Sequence, residues 1–348
     1  MTNRTDQELE KLRREALQAA VLHDRIDEAA ARGKIALLHL SRLKWQEAAV
    51  ELLRVAVLAE QDGEPFYEAQ TRYTLGRALG HLPPRQTEGI GHLQRAADLY
   101  QQTGHPAQAI ASRKAIAEIY MAAEQYELAI ELTTELLASQ PPLELGRDLY
   151  RLRAVAHLYN VQLAEGAADM GRAAELASQQ GDPQLAALLT SQARALRDLA
   201  NGSWDAPALG ALLANGAIPP ELGGEGLTDK QLQKALASLQ HGRIAQGLAQ
   251  AEAALQAARD AADLNRFVRY LLASLLIAQA HQSQNNRVGV LIALLRAKVY
   301  LETNVGTAVG AQVDAVLDGF GQQWGADGLR QAIAEYQQYI ATHGPIKL

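Results

Sequence analysis

Apolar residues recur at helical spacing along most of this chain, in stretches separated by short polar breaks. Residues 110–142 show the pattern best. Ile110, Ile116, Ile119 and Tyr120 share one side of a first helix. Tyr126, Ala129, Ile130, Thr133 and Leu136 share one side of a second, and the two join at Glu124-Gln125. Small Ala117 and Ala129 let the helix backbones approach, Tyr120 and Tyr126 fill the space beside them, and Pro141 stops the second helix. The same two-helix unit is read at about 24–61 (Ile35-Ala36-x-x-His39, then Trp45-x-x-Ala48) and at about 65–103 (Leu75-Gly76-x-x-Leu79, a long turn from His81 to Gln86, then Gly89-x-x-x-Leu93). A fourth is read at about 145–180, with Ala154-Val155-x-x-Leu158 and Ala167-x-x-x-Gly171. Ahead of them, Thr5-Asp6-Gln7-Glu8 has the capping-box form and predicts a helix to about Leu22, with Leu9, Leu12, Ala16 and Ala20 on one side.

Ile116-Ala117-x-x-Tyr120, Tyr126-x-x-Ala129 and Pro141 follow the order of the tetratricopeptide pattern, and this part of the chain resembles the tetratricopeptide repeat (TPR) family. The small-residue landmarks Ala48, Gly89, Ala129 and Ala167 lie 41, 40 and 38 residues apart. The usual period is about 34, so each hairpin carries roughly one extra helical turn of ~3.6 residues. In this the chain is similar to the lengthened repeats of bacterial signal-sensing regulators and of kinesin light chains. The resemblance implies an all-α fold, a right-handed α-solenoid of antiparallel helical hairpins, whose first helices line a concave surface.

The expected organisation is a capping helix over residues 1–22, the hairpin array over 23–200, a Gly- and Pro-rich linker or irregular insert over 201–227, and degenerate hairpins over 228–348. Within the linker, Asp205 to Ala214 is expected as a short helix, and Thr228 as the cap of the next. Beyond it, helices are expected at about 229–239, 244–261, 265–282, 287–303, 307–322 and 326–341. Residues 267–280 and 288–301 are apolar nearly all round. Such helices are buried on more than one side, either among neighbours of their own chain or against a second copy in a homodimer.

Composition narrows the function. A formal charge of −6 and no basic stripe argue against a dedicated nucleic-acid binder. The absence of cysteine removes disulfides, thiolate chemistry and thiolate zinc sites. No apolar run approaches the roughly 20 residues of a membrane span, and the charged N-terminus lacks a signal peptide's apolar region, so the expected location is cytoplasmic. No nucleophile elbow, phosphate loop or HExxH helix is present. The nine histidines are scattered, with none paired at i, i+4. His39 and His157 fall on inner helix faces, and His81 and His92 flank one turn. The reading is a non-enzymatic protein with no catalytic, cofactor or metal residues.

What remains is a groove. In the register of Ile116, the first-helix residues facing away from their return helices are Ala111, Lys114, Glu118, Met121 and Ala122; Gln70, Tyr73, Arg77 and His81; and Leu149, Leu152, Arg153, Tyr159 and Asn160. Of these, Tyr73, Arg77, Lys114, Glu118, Arg153, Tyr159 and Asn160 are the candidate partner-binding residues. Tyr supplies apolar contact, while Arg and Lys supply charge-assisted hydrogen bonds. The mixture suits a protein or peptide partner of some acidic character, with the chain acting as scaffold or regulator. The alternative is a sensor whose two half-arrays close on a small molecule or peptide about residues 201–226 and signal to a separate partner.

Overall fold

Residues 4–200, 230–261, 266–305 and 307–344 are described by a computed structural model. The expected linker at 201–227, its short helix and the Thr228 cap lie outside the described residues. Every apolar-periodic stretch within them is a helix: α1 (Arg4–Val21), α2 (Arg25–Leu40), α3 (Trp45–Gln61), α4 (Pro65–Gly80), α5 (Gln86–Gln102), α6 (Pro106–Ala122), α7 (Tyr126–Ala138), α8 (Leu143–Tyr159), α9 (Leu163–Gln179) and α10 (Pro183–Ala200). Then come α11 (Lys230–Gln240), α12 (Ile244–Asp260), α13 (Arg266–Ser283), α14 (Arg287–Asn304) and α15 (Thr307–His343). No strand occurs among the described residues, and no described helix is long and apolar enough to cross a membrane. The capping-box Thr5 lies inside α1 rather than ahead of it. The two helices expected on either side of 322–326 are the two arms of α15, which turns at Gly325 (φ 68°, ψ 171°).

The turns explain the lengthened period. After α2, Leu43 takes a left-handed conformation (φ 56°). Its N–H donates to the Leu40 carbonyl at 3.0 Å, and the Lys44 N–H donates to the His39 carbonyl at 2.9 Å. This is a Schellman closure, which satisfies carbonyls that the helix end would leave orphaned. The Lys44 carbonyl then accepts the first bond of α3, from Ala48 N–H at 3.0 Å. One residue thus closes a helix and caps the next. The same pair of closing bonds recurs at His23, Gly63, Gly104, Glu124, Val161, Gly181, Gly242 and Asn285. Most helices from α2 to α9 have 16 or 17 residues, so helix plus turn repeats about every twenty. The turn after α4 differs: Pro83–Arg85 form a single 3₁₀ turn.

The chain divides into two compact units, Met1–Leu145 and Gly146–Leu348, with the division in the first turn of α8. In the first unit each helix packs on the next, and α4 also touches α6, the first helix of the following hairpin. Apolar clusters fill the successive layers: Leu12, Ala16, Ala31 and Ile35 between α1 and α2; Ala36, Ala49, Leu52, Leu75 and Leu79 among α2, α3 and α4. Leu93, Ala115, Ile116 and Ile119 continue the series between α5 and α6. The α4–α5 crossing is the tightest. A Cβ on Gly76 would stand 2.7 Å from the Gly89 carbonyl oxygen, and one on Gly89 would stand 2.8 Å from that of Gly76. Only two facing glycines let these backbones meet.

Two buried carboxylates sit forty residues apart at matching positions of α2 and α4. Glu28, 2% exposed, accepts two bonds from Arg54 of α3 at 2.9 and 3.0 Å and one from Arg32 at 2.9 Å. Arg32 reaches on to Glu51 at 2.8 Å. Glu68 accepts from Arg72 at 2.6 Å and lies 3.5 Å from Arg95 of α5, while Arg72 bonds Glu60 of α3 at 3.0 Å. A buried charge must be paired, and here the pairing ties each first helix to its return helix.

In the second unit, α13 packs on α12 and α14 and touches α11. From Phe267 to Ala278 nearly every side chain is buried within the one chain. Of the two coverings left open for these helices, α13 has the first: neighbouring helices of its own chain bury it, and a homodimer through residues 267–301 finds no open apolar face on it. Among residues 266–304, Val299 is the large apolar side chain left exposed.

Candidate partner-binding site

Of the candidate partner-binding residues, Tyr73 and Arg77 lie on α4 and Lys114 and Glu118 on α6, in the first unit. Tyr73 is half-buried at the meeting point of two apolar clusters, one with Ala69 and Tyr100, the other with Leu93 and Ile116. The guanidinium of Arg77, one turn on, lies 5.8 Å from the Tyr73 ring centre. Arg77 is exposed, and among the described residues it forms no ion pair. Lys114 and Glu118 of α6 satisfy each other at 2.5 Å and are about one-fifth exposed. His81 closes the face, stacked on Trp45 with ring centres 4.1 Å apart. Partial desolvation and the Arg77 charge hold its imidazole below the ordinary value, against the pull of Glu118. The charges of α4 and α6 therefore converge on this ring. Glu118 and Lys114 neutralise each other, which leaves Arg77 as the uncommitted cation of the face.

The α8 residues do not join such a face. Leu149 and Leu152 are 0% and 2% exposed, and Tyr159 is 5% exposed. Arg153 points to its own return helix, where Nε and Nη2 fork onto the Asp169 carboxylate of α9, both at 2.7 Å. Asp169 is itself buried, and its hydrogen bonds, helped by its charge, hold the Arg153 guanidinium above its ordinary value against burial. The register taken from Ile116 assumed one wet side; α8 carries Leu149, Leu152, Ala154, Val155, Ala156 and Leu158 and is covered almost all round. Asn160 is half-buried in the turn, with its N–H on the Ala156 carbonyl. His81 and His92 flank their turn with separate partners: His81 stacks on Trp45, and His92 Nδ1 lies 3.3 Å from Arg72 Nη1.

The second unit holds a cleft of about 340 Å³ that the periodicity did not reveal. Glu252 and Leu255 come from α12, Ser274, Ile277 and His281 from α13, and Gly289, Ile292 and Arg296 from α14. Ser274 is buried, and its hydroxyl donates to the Tyr270 carbonyl at 2.8 Å. Asn286 caps α14 by accepting from Gly289 N–H at 2.9 Å, and its amide lies 3.3 Å from His281 Nδ1. Gly289 makes room for that imidazole, since a Cβ there would stand 2.5 Å from the His281 ring. Burial pushes His281 below its ordinary value, against the pull of Glu252. Arg296 Nε is shut off from solvent with no acceptor, and Arg296 forms no ion pair among the described residues. The signal in the sequence is a pair of cations, Arg296 and Lys298, within a run otherwise apolar, VGVLIALLRAKVYL.

No family model matches the chain, and no curated protein matches it in sequence. Among solved structures the chain is similar to the apo form of the quorum sensor NprR from B. thuringiensis, at 15% sequence identity and a TM-score of 0.35. That match covers 91% of this chain and 84% of that one.

Proposed function

We propose that the chain is a non-enzymatic TPR-type array that binds a protein or peptide partner on the α4–α6 face of its first unit, as a scaffold or regulator. The observation that carries the reading is Arg77: an exposed guanidinium beside the Tyr73 ring, with no carboxylate of its own, on a face shared by the first helices of consecutive hairpins. Such a group recognises an acidic side chain or a C-terminal carboxylate, and the Tyr73 and Trp45–His81 surfaces take up neighbouring apolar atoms.

The test is fluorescence anisotropy with a panel of labelled peptides in which acidic and apolar residues are varied. Peptides combining the two should bind, and Arg77→Ala should weaken them about tenfold, the worth of one charge-assisted hydrogen bond. Helical content by far-ultraviolet circular dichroism should stay the same, since Arg77 is exposed. Arg153→Ala should instead lower the melting temperature and leave peptide affinity unchanged. Binding insensitive to both Arg77→Ala and Tyr73→Ala would remove this face from consideration.

A further inference from the structure

A second ligand site lies in the cleft of the second unit, and it stands whether or not the α4–α6 face binds a peptide. We infer that the cleft among α12, α13 and α14 binds a small zwitterion with an apolar body, such as a free branched-chain amino acid or a short apolar dipeptide, its carboxylate on Arg296 and its ammonium on Glu252. Three observations lead there.

The first is the state of Arg296. A guanidinium has five N–H donors and no acceptor. Its Nε is shut off from solvent without an acceptor, and the side chain has no carboxylate partner among the described residues. Arg296 lines the cleft, and a carboxylate entering it pairs with the guanidinium in the forked, charge-assisted geometry that arginine prefers, with no resident carboxylate to displace.

The second is the place of Glu252. It lines the same cleft from another helix, yet the two opposite charges do not pair within ion-pair distance. A ligand carrying both charges completes each of them; a simple anion leaves Glu252 facing it, and a simple cation leaves Arg296 facing it. Two of the remaining polar side chains are already engaged: Ser274 donates to a backbone carbonyl, and Asn286 caps its helix beside His281, while Tyr339 adds a hydroxyl to the lining. Desolvation disfavours the charged form of His281, so at neutral pH the two charges of the lining balance.

The third is size and character. Leu255, Ile277 and Ile292 supply apolar wall between the two charges. The volume of about 340 Å³ lies at the small end of the about 300–1,000 Å³ usual for ligand pockets, too little for an extended peptide.

The experiment is thermal denaturation and isothermal titration of the full chain with L-leucine, leucyl-leucine, N-acetyl-L-leucine, L-leucinamide, acetate and phosphate. At least one of the two zwitterions should raise the melting temperature and bind. Blocking either end, by acetylation or amidation, should weaken binding at least about tenfold. Glu252→Gln, at an exposed position, should abolish the preference over the acetylated form while keeping the preference over the amide. Arg296→Gln should do the reverse. The inference is overturned if neither zwitterion binds, if acetate or phosphate stabilises as much as leucine, or if both preferences survive both substitutions.

Discussion

At the scale of the residue, the close approach of α4 and α5 rests on two missing methyl groups. Gly76→Ala puts a carbon 2.6 Å from Leu93 Cγ and 2.7 Å from a backbone oxygen that cannot swing away. The expected cost is about 1–3 kcal/mol, the range for overpacking a filled interior, and Gly89→Ala should cost a similar amount. Gly91, two residues on in the same helix, meets nothing within 4 Å. There alanine should stabilise by about 0.5–1 kcal/mol, through the lower entropy of the unfolded chain. Urea midpoints of the three variants check the contrast, and equal effects at Gly89 and Gly91 would refute it. Glu28 supplies a prediction in pH. The Arg54 hydrogen bond, with help from Arg32, holds its carboxyl below the ordinary value despite burial, which acts the other way. The unfolded chain therefore binds this proton more readily than the folded one. The contribution of Glu28 is complete above the ordinary carboxylate range and drains away as pH falls below about 4.3. Glu28→Gln should melt below wild type at pH 7, and the gap should shrink on acidification through that window. A gap that stays constant to pH 3 would mean the charge is not what matters.

At the scale of the element, most described helix ends are set by one residue in the left-handed region. Glycine fills that place at Gly63, Gly104, Gly181 and Gly242, but Leu43 fills it after α2, with its side chain 69% exposed. A side chain there costs roughly 1–2 kcal/mol and here earns little burial in return. Leu43→Gly should raise stability by about 1 kcal/mol, and Gly104→Ala should lower it by a similar amount; thermal melts of the pair decide. The helices themselves were legible because amphipathic spacing and small-residue positions act locally: Gly76 lies at the α4–α5 crossing, and Ala48 and Ala129 are fully buried. The face a side chain takes was less legible. On α4, Arg77 stays exposed beside a half-buried Tyr73, while on α6 Lys114 and Glu118 pair with each other at about one-fifth exposure and Met121, placed on the same side by the register, is buried. On α8 no side stays wet, and Arg153 is drawn to a buried Asp169 that helical periodicity gives no reason to pair with it. Arg296 escaped for the opposite reason: periodicity says only that its helix is buried, and the cleft beside it depends on how three helices meet.

At the scale of the whole molecule, contacts run mainly between helices adjacent in sequence, with few that skip along the chain. Stability in such an array is nearly a sum of helix terms and nearest-neighbour interfaces, so local damage stays local. Gly76→Ala makes this testable by native-state hydrogen exchange. Its strain falls on the α4–α5 crossing, and the helices touching that pair are α3 and α6. Amides of α3 to α6 should lose protection by roughly a factor of ten for each 1.4 kcal/mol lost. Those of α13, buried among α11, α12 and α14, should keep theirs. The reciprocal variant is Gly289→Ala, which sets a carbon against the His281 ring and should loosen α13 and α14 while leaving α4 and α5 protected. Equal loss of protection along the whole chain in either variant would show that the array opens as one cooperative body, and the nearest-neighbour description would then fail.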